Sequence, residues 1–570
     1  MNSTSVRRHC PIMSLVLAMG ACVFVQGQEN NPEGNEESSA PPTIAERVKD
    51  LQKHEGLLTF YTDTRKGKVL LELPAAQGPR GLLGEYLYIE GLLQGLGSNP
   101  VGLDRGKLGP DRLVHFRHVG GRVLIEHINL RYRALSDNQD EQNAVRQSFA
   151  TSVIWAGEIE IEDPDGRLLI DFTSFLVRDA HNVVTTLKRS GQGSYSLDEK
   201  RSVIDLVNCL AFPENLEFEA VLTFAGSEPG RDVRSTTPTP ESISLVQHHS
   251  LVKLPDSNYR PRKHDPRVGC NAMRFLDYAT PLGQPLEQRW INRHRLEKVD
   301  PRASQSRVKE PIIYYVDRGA PEAIRNALVE GGNWWAEAFE KAGFTDAYRV
   351  EVMPAGAHPL DVRYNMVQWV HRSTRGWSYG GSISDPRTGE IIKGHVSRGS
   401  LRVRQDILLF EGLAGVAKTG SGDPDDPVEL ALARIRQLSA HEIGHTLGFA
   451  HNFAASTYDG RASVMDYPAP LIGIENGELD FSDVYGVGIG SWDIHTVRYA
   501  YSQFKPNADE DEQLAKIVRD GLDAGYRFMS DSDARSLGSA HPLAHLWDNG
   551  DDPVEALNLS MRVRRIALDN

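Results

Sequence analysis

A chain of 570 residues is longer than one hydrophobic core usually supports, so two to four domains are expected. With 40% hydrophobic and 25% charged residues the composition is that of an ordinary globular protein, which excludes a collagen-like, coiled-coil or wholly disordered chain. The formal net charge of -14, with no cluster of Lys and Arg, argues against a nucleic-acid partner.

Arg7 and Arg8 precede an apolar run from Ile12 to Val25, followed by small and polar residues, the layout of a secretory signal segment over 1–27 cut after Gly27. The run is too short for a comfortable membrane span, and no later segment is long and apolar enough for one. The mature chain is therefore expected outside the cytoplasm, secreted or periplasmic, with no transmembrane span. Met19-Gly20-Ala21-Cys22 leaves lipoprotein anchoring through Cys22 open. Removal of the leader with Cys10 and Cys22 leaves Cys209 and Cys270, which an oxidising compartment would allow to pair. Residues 28–42, rich in Asn, Glu, Gly, Ser and Pro, read as a disordered linker.

From 43 to 265 the chain reads as a β-rich domain. After a helix expected over Ile44–His54, runs rich in Val, Ile, Leu, Tyr and Phe follow at Lys68–Leu73, Tyr86–Glu90, Val123–Leu130, Ser152–Glu162 and Leu168–Leu176. Turn residues such as Asp163-Pro164-Asp165-Gly166 separate them, which predicts mainly antiparallel pairing. The pattern then changes to strand, helix, strand. Ile312–Val316 predicts a buried strand, Pro321 opens a helix that Gly343 ends, and Arg349–Met353 and Val362–Val370 continue a sheet. Tyr379–Asp385 and Glu390–Val396 predict a hairpin about Pro386-Arg387-Thr388-Gly389. The fold class is thus α+β: a β-rich N-terminal domain, an α/β domain over 266–505 and a C-terminal segment over 506–570.

The next helix carries the chemistry. Asp426 is the expected N-cap, Pro427 the first helical residue, and Glu429 completes a capping-box pattern. The helix runs into His441-Glu442-Ile443-Gly444-His445, followed by Gly448 and His451. Residues four apart share a helix face, so His441 and His445 can converge on one metal ion. Gly448 permits the left-handed turn that returns His451 as a third ligand. Three ligands leave a position open for water, and Glu442, one place along, is set to act as its general base. The pentapeptide alone is a weak signal; the added Gly448 and His451, on a capped helix, make it specific.

These residues resemble the extended motif of the metzincin clan of zinc-dependent metalloproteases, His-Glu-x-x-His-x-x-Gly-x-x-His followed by a Met-turn. Ser463-Val464-Met465-Asp466-Tyr467 matches the Met-turn. The resemblance implies that Met465 packs beneath the metal without ligating it. Tyr467 resembles the tyrosine that in some branches hydrogen-bonds the oxyanion or swings onto zinc, with an ordinary structural role equally open. As a whole the chain is similar, over most of 43–545, to bacterial secreted zinc metalloproteases with a β-rich N-terminal domain. Those relatives continue further, which implies a shortened C-terminal region here. Asn452 departs from the better-known branches, so their substrate preferences are not carried over. The resemblance implies Zn2+ as cofactor, a protein or peptide substrate, and metalloendopeptidase activity.

Lesser candidates remain. Cys270 could serve as a thiolate switch against a disulfide or buried thiol; His371 and His395 could form a second metal site, although isolated histidines are mostly exposed. Asp423–Asp426 and Asp531–Asp533 could bind calcium, with helix caps and solvated loops as the plainer reading. Two rival functions stand beside the protease: a zinc hydrolase of non-peptide amides, and an extracytoplasmic binding protein with a vestigial zinc site.

Overall fold

A computed structural model describes residues 42–78, 80–539 and 541–569. The expected signal segment, with Cys10 and Cys22, and nearly all of the linker lie outside the described residues. The N-terminal region is built on a 13-stranded sheet whose neighbours all run antiparallel. Its path begins at Gln52–His54 and ends at Ser194–Leu197, with Leu82–Gln94, Ser242–Lys253 and Asn215–Ser227 as its long strands. The accumulated twist of so many strands rolls the sheet into a near-barrel. The Leu57 N–H reaches Phe212 O at 2.8 Å, and Phe60 meets Phe218 with ring centroids 5.0 Å apart, so early and late strands come together across the interior.

Side-chain alternation on Leu82–Gln94 joins this near-barrel to the rest of the molecule. Tyr86 and Tyr88 point into the aromatic core with Phe116 and Phe175, while Leu87 and Ile89 point the other way, onto Val362 and Ile383. Both faces of the strand are buried from Tyr86 to Leu92, which is why Tyr86–Ile89 reads as an unbroken apolar run. Arg372 and Asp104, each 1% exposed, pair at 2.8 Å across the same junction. A small sheet, Glu287–Ile291, Ala272–Asp277 and Tyr132–Arg133, ties the two halves again.

The C-terminal half holds a six-stranded sheet in the order Arg293–His294, Glu390–Gly399, Asn365–Val370, Ile312–Val316, Tyr348–Val352, all parallel. Tyr379–Ser384 adds antiparallel to Glu390–Gly399. Helix Glu322–Asn333 lies against the central helix Pro427–Thr446, and Gly331 permits the contact: a Cβ there would sit 2.0 Å from Arg436 O. No helix among the described residues is long and apolar enough to cross a membrane.

Some expected elements change. The first helix covers only Ile44–Val48, because Gln52–His54 pairs with Phe60–Asp63 instead. The strand from Leu168 stops at Asp171, whose carboxylate accepts the Thr173 N–H at 3.0 Å and turns the chain into helix Thr173–Leu176. The helix from Pro321 to Gly343 is broken at Trp334 into Glu322–Asn333 and Trp335–Lys341. Helix Leu401–Ala414 was not expected: it buries only Asp406 and Phe410 and leaves Leu408 and Leu409 exposed, so its sequence has no clean apolar stripe.

Candidate metal centre

The Asp426 carboxylate starts the central helix, accepting N–H groups from Val428, Gly420 and Gly422 at 2.8, 3.0 and 2.9 Å. The capping box expected through Glu429 is replaced by these loop donors. At the other end Gly448 has a φ of +100°, and a Cβ there would lie 2.0 Å from Asn292 O. Glycine is therefore required twice over, by conformation and by space. The turn is pinned by Asn271 N–H to Gly448 O at 2.8 Å and Ala450 N–H to Gly269 O at 2.9 Å.

Beyond the turn His451 comes back to face the helix. The ligating atoms of His441, His445 and His451 all lie within 4.8 Å of one another, with the Nε2 atoms of His445 and His451 3.1 Å apart. Each ring is held by its other nitrogen. Nδ1–H of His441 donates to Val464 O at 2.7 Å, that of His445 to Phe449 O at 2.8 Å, and that of His451 to the Asp531 carboxylate at 2.6 Å. A carbonyl oxygen only accepts, so the Nε2 atoms of His441 and His445 bear lone pairs, as metal ligation requires. Burial pushes both rings toward the neutral form, His441 well below the ordinary histidine range and His445 to about 4. Two nitrogens about 2.0–2.1 Å from one tetrahedral ion lie about 3.3 Å apart, so the residues present fit zinc.

Glu442 is 5% exposed and lines the same cleft as His445 and His451. Burial raises its carboxyl above the usual carboxylate range; Arg398, 3.9 Å away, and the Gly380 N–H pull the other way. Arg398 is itself buried, with Nε and Nη1 lacking a hydrogen-bond partner in the protein. The Tyr467 ring lies 4.5 Å from that of His451 and 5.1 Å from that of His441, stacked on Trp547 at 5.0 Å. Burial, with Glu442 nearby, pushes its phenol up to about 12. Met465 is 1% exposed and packs beneath the helix, where a Cβ on Gly444 would meet its Sδ at 2.3 Å. Asp493 fixes this turn, accepting from Ser463 Oγ at 2.6 Å and from Val464 N at 2.9 Å.

The roles of four residues of the centre escaped sequence reasoning. Asp531 anchors a ligand from 80 residues away, with no local signal of that role. Asn452 is fully buried and ties the ligand loop to the C-terminal segment through Arg527 O at 2.9 Å and Met529 N at 3.1 Å, a structural reason for its departure from the familiar pattern. Arg398 is one of several polar residues on strand Glu390–Gly399 and carried no signal of its own, and Asp493 was only a polar residue at a helix start.

Other expectations are corrected. Cys209 and Cys270 are both free and buried, so they do not pair. Cys270 borders the ligand turn, but its thiol packs toward Val268 O, burial pushes it up to about 12, and it is not among the clustered ligands, so no thiolate switch is formed. His371 is exposed and bonded to Ser400 Oγ, whereas His395 is shut in beneath the sheet; among the described residues the one cluster of ligating groups is His441, His445 and His451. The acidic stretches serve as caps and as the His451 anchor, Asp533 accepting the Ser530 N–H at 2.9 Å.

Residues 423–570 match the family described as Met-zincin, and residues 106–299 match a domain of unknown function, DUF5117. No curated protein and no solved structure matches the chain. With its three histidines gathered as they are, the chain carries a Met-zincin domain behind an N-terminal DUF5117 domain.

Proposed function

We propose that the protein is a zinc-dependent endopeptidase with His441, His445 and His451 as metal ligands and Glu442 as general base. The observation that carries this reading is the set of three imidazoles, each anchored through Nδ1, beside a buried carboxylate on a cleft of about 550 Å3. A zinc ion, when bound, supplies a Lewis acid that polarises the substrate carbonyl and lowers the pKa of water. The Glu442 carboxylate takes a proton from water in the cleft and passes it to the leaving amine nitrogen, for which a raised pKa suits it. Tyr467 would donate its phenolic hydrogen to the developing oxyanion, a role that its ring's position 4.5 Å from that of His451 supports. Strand Tyr379–Ser384 lines the cleft, which favours an extended peptide over a non-peptide amide as substrate.

Zinc analysis and casein cleavage by the purified protein test this. Glu442→Gln should retain zinc and lose turnover; full activity in that variant removes the base, and protein without any transition metal removes the ligand set. The division into 43–265, 266–505 and 506–570 belongs to the same proposal, and limited proteolysis should cut near those borders. Export is proposed from residues 1–27, and the intact mass of the exported protein would distinguish cleavage after Gly27 from lipidation at Cys22.

A further inference from the structure

The cleft beside the histidines adjoins a second space, with Asp111 in the wall of both. This second cavity, of about 770 Å3, lies between the N-terminal sheet and the small sheet. The walls pass from one to the other: Asn271 and Ser384 face the cleft, Met273 and Pro386 the second cavity. Asp111 Oδ2 accepts the N–H of Ser384 at 2.9 Å. That bond closes the edge of strand Tyr379–Ser384 at its far end. A substrate strand lying along Gly380–Ser382 cannot go on pairing past Ser384 and must leave the edge beside Asp111, where the trough begins. The hairpin wall there is clamped, because the Arg133 guanidinium donates to Arg387 O at 2.7 Å and to Pro386 O and packs 4.1 Å from the Phe275 ring centroid. A preformed wall costs little ordering on binding. The volume lies within the range of about 300–1,000 Å3 usual for binding pockets.

We propose that this trough is a distal subsite, supplied largely by the N-terminal domain, that holds the segment of an extended polypeptide several residues to one side of the scissile bond. The inference rests on the peptidase reading and adds the substrate class: long extended chains in preference to short peptides. Gly380 lies against Glu442 and His445, and Ser384 is four residues further on, about 13 Å at 3.3 Å per residue. A peptide reaching fewer than about four residues in that direction never touches the trough. Binding made at such a distance can lower the barrier at the reacting bond.

The test uses the full zinc-loaded chain and one cleavable hexapeptide, extended by several residues on its N-terminal side, on its C-terminal side, or not at all. A strand pairs in one direction, so one extended series should gain about tenfold in kcat/KM and the other little. Ser152→Trp, at an exposed strand position on the trough, and independently Met273→Trp, should bring the long-to-short ratio back toward one. In Glu442→Gln a labelled long peptide should bind more tightly than the short one by fluorescence anisotropy. Equal kcat/KM at all lengths, or a gain that survives both tryptophans, overturns the trough while leaving the peptidase. Absence of cleavage of every peptide overturns both.

Discussion

The metal centre has two halves held by different means. His441 and His445 stand on one 20-residue helix, four residues apart, and their rings lean on neutral backbone carbonyls. His451 stands on a loop after a glycine turn and leans on a carboxylate whose side chain is 47% exposed. The helical half is set by local geometry. The loop half depends on His451 and Asn452 reaching Asp531, Arg527 and Met529, far along the chain. A metal site can thus be half a property of a motif and half a property of tertiary structure.

Removing a ligand from the helical half should have the largest effect: His445→Ala should retain no more than about one-tenth of the wild-type metal after dialysis, by elemental analysis. Full retention would mean that the helix is not the core of the site. Asp531→Ala attacks the loop half and should weaken metal binding by about 10–100-fold in chelator competition, with Asp531→Asn between it and wild type because an amide oxygen still accepts the Nδ1–H. Unchanged affinity would reduce Asp531 to a surface acid.

Asn452→Ala removes the side-chain oxygen that accepts the N–H groups of Met529 and Ala454, at a cost of about 1–3 kcal/mol for each left unpaired. It should lower the melting temperature and loosen metal less than Asp531→Ala does; the reverse order would put Asn452 closer to the metal than its contacts imply. The smallest effect concerns the floor of the helical half. Burial pushes the Asp493 carboxyl up to about 6 against its hydrogen bonds from Ser463, Gly490 and Val464. The folded state therefore holds this proton more tightly than the unfolded chain does. Its stability contribution is whole below the ordinary value of 3.8 and is lost as pH rises through about 6. Asp493→Asn should flatten the dependence of melting temperature on pH between 4 and 6 by a few degrees, and an unchanged slope would assign the titration elsewhere.

The sequence was legible where a period and its punctuation agree. Lys68–Leu73, Ser152–Glu162 and Ile312–Val316 form at the bounds their patterns imply, and the central helix begins at its Asp426 cap. Gly331, Gly444 and Gly448 could be seen as glycines, but only the structure shows what each must clear: Arg436 O, Met465 and Asn292 O. The rolling of the sheet into a near-barrel was beyond reach, since Leu57 and Phe212 meet across a separation that no local pattern records. For the same reason the helical ligands were visible in the motif, while Asp531 looked like any acid at a helix start.

The anchoring of His451 by Asp531 also orders events in time. A ribosome must add 80 further residues after the third histidine before the carboxylate that steadies it exists. Until then the nascent chain carries the whole motif without the carboxylate that holds its third ring.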